Sequence, residues 1–191
     1  MSPKTATEVS KRVITPLARL SYPYLFEPAQ AMQAGGQEKY QCELIFSPDA
    51  DLSELRAAIE QAKHDKWGDK PPAKLRSPFR DGDTDREGKM GYDGCTFIGA
   101  RSNQQPGVVI GRYKDPVVNQ SDVYGGCWVK ASVTAFAYDT NGNKGLSFGL
   151  NNVWKIRDGD PFGSRRSAED DFSSEELDPA AFGEEEQSEL L

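Results

Sequence analysis

The segment that most restricts the fold runs from residue 124 to 162, and its centre alternates strictly. Between residues 128 and 138, Val129, Ala131, Val133, Ala135 and Ala137 fall on one face, and Trp128, Lys130, Ser132, Thr134, Phe136 and Tyr138 on the other. A period of two belongs to a strand. The first set is small and apolar, which suits the crowded inside of a small barrel. The second mixes aromatics, hydroxyls and a cation, which is unusual for a purely solvated face. Asn141-Gly142 supplies the left-handed residues of a tight hairpin turn. On the return strand, 145–157, simple alternation places Leu146, Phe148, Leu150, Trp154 and Ile156 on one side. Ser147, Gly149, Asn151, Val153, Lys155 and Arg157 fall on the other.

The rest of the chain must complete a sheet around this hairpin. Residues 13–26 are β-prone but interrupted by Pro16 and Pro23, which predicts an edge strand or a bulged one. Residues 27–38 read as a loop, and 39–46 as a strand alternating Tyr40, Cys42, Leu44 and Phe46 against Lys39, Gln41, Glu43 and Ile45. Leu52, Leu55, Ile59 and Ala62 keep helical spacing over 51–67, with Asp51 or Ser53 to cap the start and Gly68 to end it. Residues 68–94 form a long irregular excursion, and 96–101 and 108–112 are short strands flanking a turn. About five main strands and one α-helix predict a mainly β domain, residues 1–163. A partly open five-stranded barrel of the oligonucleotide/oligosaccharide-binding (OB) type fits, with a β-sandwich as the alternative closure. Residues 164–191 are expected to be a disordered tail, because nothing periodic there can bury a core.

Charge divides the chain at the same border. All 23 Lys+Arg and 20 of the 30 Asp+Glu lie within residues 1–166, whereas 167–191 hold ten acids and no base. The net −7 is therefore a mildly basic body and a wholly acidic end. No apolar run reaches the roughly 20 residues of a membrane helix, and the start lacks a signal-peptide core, so a cytoplasmic protein is expected. Cys42, Cys95 and Cys127 are scattered, and His64 lies on the polar side of the helix. Reduced thiols, no metal and no cofactor are the expectation.

Two constellations could carry chemistry. Asp81, Asp83, Asp85 and Glu87 superficially resemble a calcium loop or the carboxylates of a metal-dependent nuclease. Interspersed Arg80, Arg86 and Lys89 instead favour a solvated loop with local ion pairs. The second constellation interleaves aromatics with cations. Tyr113, Trp128, Phe136 and Tyr138, with Phe79 and Tyr92, are candidates to stack on unpaired bases. Lys74, Arg76, Arg80, Arg112, Lys114, Lys130, Lys144 and Lys155 are candidates for phosphates. Single-stranded nucleic acid is held in this way, with each stacked base contributing about 1–3 kcal/mol. The competing reading of each ring is core packing. The acidic tail carries Phe172, Leu177, Phe182 and Leu190-Leu191, and could occupy the protein's own cationic groove or serve partner proteins.

The run GGCWVKASVTAFAYDTNGNKGLSFGLNNVWKIRDGDPFG, followed by Ala168-Glu169-Asp170-Asp171-Phe172, resembles a family of phage single-stranded-DNA-binding proteins. SPFRDGD at 77–83 and GRYKDP at 111–116 are similar to the same family. The resemblance implies an OB fold and sequence-independent binding of single-stranded DNA without enzymatic activity. It also implies a role in phage DNA replication or recombination, with replication and recombination proteins meeting the acidic tail. A monomer and a homodimer are both compatible with it. The readings from other classes are the metal-dependent nuclease and a phage structural or adaptor protein that docks only proteins.

Overall fold

The structure is a computed structural model that describes residues 11–163 together with 172, 175 and 176. The expected disordered tail and the border at 163–164 fall at or beyond these limits, so most of 164–191 lies outside the described residues. In chain order the elements are β1 (Arg12–Ile14), β2 (Ala18–Ala29), β3 (Lys39–Phe46), α1 (Ser53–Trp67), β4 (Phe79–Asp81) and α2 (Gly82–Asp85). Then follow β5 (Thr96–Ser102), β6 (Gly107–Ile110), β7 (Asp115–Pro116), a 3-10 turn (Gln120–Asp122), β8 (Trp128–Thr140) and β9 (Asn143–Arg157).

Five of these strands pair in a ring. β2 pairs with β3, β3 with β5, β5 in parallel with β9, β9 with β8, and β8 returns to β2. Two joints, Ala18/Arg19 with Val129/Trp128 and Ala100/Arg101 with Phe148/Gly149, are two residue pairs long, so the ring is partly open. This is an OB-like, mainly β architecture. The hairpin is as read: Thr140 faces Asn143, and Asn141 and Gly142 have φ of 50° and 81°, both left-handed.

Small side chains on β8 decide the inside of the ring. Val129, Ala131, Val133 and Ala135 are buried there with Leu20, Leu44, Ile98, Phe148 and Leu150. Each large aliphatic so buried contributes about 1.5–3 kcal/mol. Helix α1 buries Leu55, Ala58, Ile59 and Ala62 and packs chiefly on β8. Asp51 Oδ1 accepts from the Ser53 amide at its start (3.0 Å), and Gly68, with φ of 59°, ends it.

Several expectations are corrected. The segment 13–26 is two strands, and β2, flanked by β3 and β8, is not an edge; its irregularity is a bulge between Ser21 and Tyr24. β2 also runs on to Ala29 into the expected loop. β5 and β6 are the two short strands expected around a turn, and both lie parallel to β9. A second, one-turn helix, α2, interrupts the excursion. The alternation on β9 reverses midway, because Ser132 faces Asn152 but Val133 faces Leu150, leaving Asn151 as an extra residue. Beyond that bulge Val153 and Lys155 turn inward and Trp154 and Ile156 outward, the opposite of simple alternation.

Candidate nucleic-acid interface

Three outward rows organise the surface of the ring. Arg19 faces Ile45, Ile45 faces Phe97, and Phe97 faces Arg80. Ser21 faces Glu43, which faces Gly99. Tyr24 faces Gln41, Gln41 faces Arg101, Arg101 faces Gly149, and Gly149 faces Thr134. The first row is apolar at its centre and cannot stay in water. The excursion folds over it, so that Tyr92 meets Phe97 edge-on at 5.0 Å and makes a second small core with Ile45.

This roof is fixed by Glu43. Its carboxylate accepts two bonds from the Arg86 guanidinium and one from the Tyr92 hydroxyl. The Arg86 pKa is raised, first by the hydrogen bond to Glu43, and the Tyr92 phenol is raised by burial and then by the same carboxylate. Gly82 lies under the roof where a Cβ would come within 2.0 Å of the Tyr92 carbonyl oxygen, so the position admits no side chain.

Between roof and barrel lies a groove of about 520 Å3, lined by Ser21 to Tyr24 on one side, by Gly88, Lys89 and Met90 on the other, and by Phe162 at one end. Tyr22 and Tyr24 are 44% and 42% exposed, although aromatic rings are normally well buried. Tyr22 has φ of 46°, a left-handed conformation rare for a bulky residue. The bulge thereby turns two rings, on either side of Pro23, toward the groove instead of the core. Phe162 seals the end by lying against Gly91, where a Cβ would sit 2.4 Å from its ring. The signal for these rings was in the sequence, as Ser-Tyr-Pro-Tyr on a strand marked for a bulge. What could not be read locally was which strand faces the excursion.

The residues singled out from the sequence separate into groups. Arg76, Phe136, Tyr138 and Lys144 gather on the projecting end of the hairpin. Arg76 bridges to Gly145, which faces Tyr138, and the rings of Phe136 and Tyr138 are 6.5 Å apart. Lys144 pairs with Asp139 at 3.5 Å, and Lys74 is exposed nearby in sequence. Arg112, Tyr113 and Lys114 lie exposed on the turn between β6 and β7, with the Lys114 ammonium 4.8 Å from the Trp154 ring. Trp128 is half-buried between the guanidinium groups of Arg19 and Arg157, and Lys130 is half-buried opposite Trp154.

Two others, Tyr92 and Lys155, serve the fold. Tyr92 is 2% exposed and Lys155 5% exposed, which corrects their reading as a base-stacking ring and a phosphate contact. The Lys155 ammonium instead donates to the Asp122 carbonyl and to Asp158 Oδ1 (2.6 Å). Burial alone would lower its pKa, but its neighbours, Asp158 first with Cys127 and Tyr124, together outweigh burial and the value is raised. Phe79 is half-buried, edge-on to Phe148 at 5.9 Å and covered by Arg56. Arg80 lies over Phe97 at 4.9 Å and pairs with Asp85 at 3.5 Å.

Three carboxylates of the excursion are likewise occupied locally. Asp81 caps α2 by accepting from the Asp83 amide, Asp85 accepts from the Asp81 amide, and Asp83 accepts from the Gly94 amide. Among the described residues no group of three or more His, Cys, Asp or Glu side chains could hold a metal ion. No helix there is long and apolar enough to cross a membrane.

OB-type barrels lay oligonucleotides on the outer face of the second and third ring strands, between the loops joining strands one to two and four to five. Here those strands are β3 and β5, and the flanking loops are 30–38 and the Asn141-Gly142 turn. The groove and the hairpin end thus border one face.

Comparison with known proteins agrees with this architecture. The chain is 36% identical over 181 residues to protein p50 of Acyrthosiphon pisum secondary endosymbiont phage 1, covering 88% of this chain and 94% of that one. The single-stranded DNA-binding protein of bacteriophage Enc34, solved in complex with ssDNA, superposes with a TM-score of 0.70 at 25% identity, over 84% of this chain and 97% of the other. The single-stranded DNA-binding protein gp2.5 of bacteriophage T7 shares the fold, with a TM-score of 0.56 at 15% identity, over 94% and 98% of the two chains. The family model described as Enterobacter phage Enc34, ssDNA-binding protein matches residues 11–182, and the chain therefore belongs to that family.

Proposed function

We propose that this protein binds single-stranded DNA without regard to sequence during phage DNA replication or recombination, and that the groove beside β2 is where bases stack. The observation that carries the reading is the pair Tyr22 and Tyr24, half-exposed on a strained bulge that faces a groove of about 520 Å3. Every base has a π-face, so stacking there tolerates any sequence. Lys89 at the rim and Arg101 in the outer row can follow the phosphates. Family membership and the ssDNA complex of the Enc34 relative support the ligand class.

The hairpin end, with Arg76, Phe136, Tyr138 and Lys144, is the opposite bank of the same face. A binder rather than a nuclease is supported by Asp81, Asp83 and Asp85, whose carboxylates are engaged in caps and turns. A cytoplasmic setting in the host suits such a role, and the acidic residues after 166 are suited to contacts with replication or recombination proteins. The test is fluorescence anisotropy with labelled oligo-dT. Tyr22→Ala with Tyr24→Ala should weaken binding by at least about tenfold, as two lost stacks require. Unchanged affinity would remove the groove from the mechanism. No retention of the unaltered protein on single-stranded DNA at low salt would favour a protein-docking adaptor.

A further inference from the structure

We propose that the bound strand does not end at the groove but continues over the outside of the β8–β9 hairpin to a second single-stranded-DNA subsite at Tyr113. This rests on the groove being a DNA site, and it adds a path that leaves the groove. At the groove's end the Arg19 guanidinium lies 4.4 Å from the Phe162 ring and 5.6 Å from the Trp128 ring. Arg157, from the facing strand, lies 5.0 Å from the same indole. Two residues along β8 on the same outward face comes Lys130, directly opposite Trp154. The Lys114 ammonium covers the Trp154 ring at 4.8 Å, and the Trp154 indole nitrogen donates to the Gly111 carbonyl (2.8 Å), which ties the turn to the hairpin. Two clusters of cations and rings, one of Phe162, Arg19, Trp128 and Arg157 and one of Lys130, Trp154 and Lys114, therefore follow one another along the hairpin between the groove and that turn.

Packing does not account for the far end. Tyr113 is 82% exposed, and Lys114 has φ of 59°, a left-handed conformation usually left to glycine or asparagine. A turn that needed only to reverse the chain would place glycine there. Holding a lysine in that conformation keeps an ammonium over an indole and leaves a flat ring free beside it. A cation track flanked by open rings is the chemistry that grips unpaired nucleotides.

Strand length separates the two sites. The full chain is titrated with oligo-dT of about 4 and about 16 nucleotides, the range of footprints for one such barrel. Tyr113→Ala combined with Lys130→Ala should weaken binding of the long oligonucleotide by about tenfold and leave the short one unchanged. The long strand, and not the short one, should quench Trp154 in a background carrying both Trp67→Phe and Trp128→Phe, which leaves it the sole tryptophan. Equal binding of the long strand by variant and unaltered protein, with matching thermal stability, would overturn the subsite. An equal loss for both lengths would overturn it too. Failure of the groove reading is a different result: short-strand binding insensitive to Tyr22→Ala and Tyr24→Ala.

Discussion

Glu43 and Arg86 form a two-pronged ion pair across the outer face of the barrel, with the Glu43 side chain 14% exposed and that of Arg86 27% exposed. A carboxylate in the middle of a face proposed to meet a polyanion is paradoxical if only its charge matters. Its partners resolve this, since Arg86 and Tyr92 belong to the excursion and Glu43 to β3. The pair holds the groove's wall. Glu43→Gln removes a negative charge yet should weaken binding of oligo-dT several-fold, with the salt dependence of binding unchanged. Proteolysis within 86–94 should become faster. Tighter binding in the variant, measured by anisotropy at two salt concentrations, would refute the positioning role.

Tyr22 combines exposure with an unfavourable backbone, so its two costs can be separated. Tyr22→Gly relieves the left-handed strain and deletes the ring. It should hold or raise thermal stability while weakening DNA binding by about 1–3 kcal/mol. Tyr22→Phe should keep affinity, because stacking needs the ring and not the hydroxyl. Loss of affinity in Tyr22→Phe, by titration with oligo-dT, would show that the groove uses a hydrogen bond instead.

The hairpin was legible because its signals are local: period two over 128–138 and an Asn-Gly turn. The helix was legible for the same reason. Its end at Gly68 and its buried Leu55, Ile59 and Ala62 are written in one short window. The bulge at Asn151 was not, since one extra residue inverts every side chain after it and leaves no mark in composition. Trp154 and Ile156 outrank Lys155 on any apolar scale, so simple alternation sent the lysine outward. Tyr92 misled in a similar way. It stands among charges and glycines, while the partners that bury it, Glu43, Ile45 and Phe97, come from other strands. Tyr22 and Tyr24 were visible as a bulge but not as a site, because facing the excursion is a property of the assembled ring.

Lys155 and Lys130 provide a paired test of that inversion. Lys155→Met removes a buried ammonium that serves the Asp122 carbonyl and the Asp158 carboxylate. Thermal stability should fall, by about 1.5–3 kcal/mol for the lost hydrogen bonds of a charged group, with affinity for oligo-dT unchanged. Lys130→Met should do the reverse. Affinity for a long oligonucleotide falls, the salt slope drops by about one, and the melting temperature stays. Parallel effects of the two variants on binding, measured over a salt series, would mean that β9 is not inverted at Asn151.

Tyr92 ties the groove wall to alkaline stability. Burial and the Glu43 carboxylate hold its phenol well above the ordinary value near 10, so the folded protein keeps a proton that the unfolded chain gives up. Between those two values the unfolded state binds fewer protons, and stability must fall as pH rises. Cys42, whose thiol burial pushes up from 9.0 to about 12, works in the same direction from a lower starting pH. Urea melts should therefore show a decline that begins near pH 9 and steepens above about pH 10, by up to about 1.4 kcal/mol per pH unit for one phenol. In Tyr92→Phe the protein is weaker at neutral pH, because Glu43 loses a donor, but the steepening is reduced by one proton. Identical slopes for the two proteins above pH 10 would mean that the phenol is not confined as the structure has it. The roof over Ile45 and Phe97 would then have to be looser than this geometry requires.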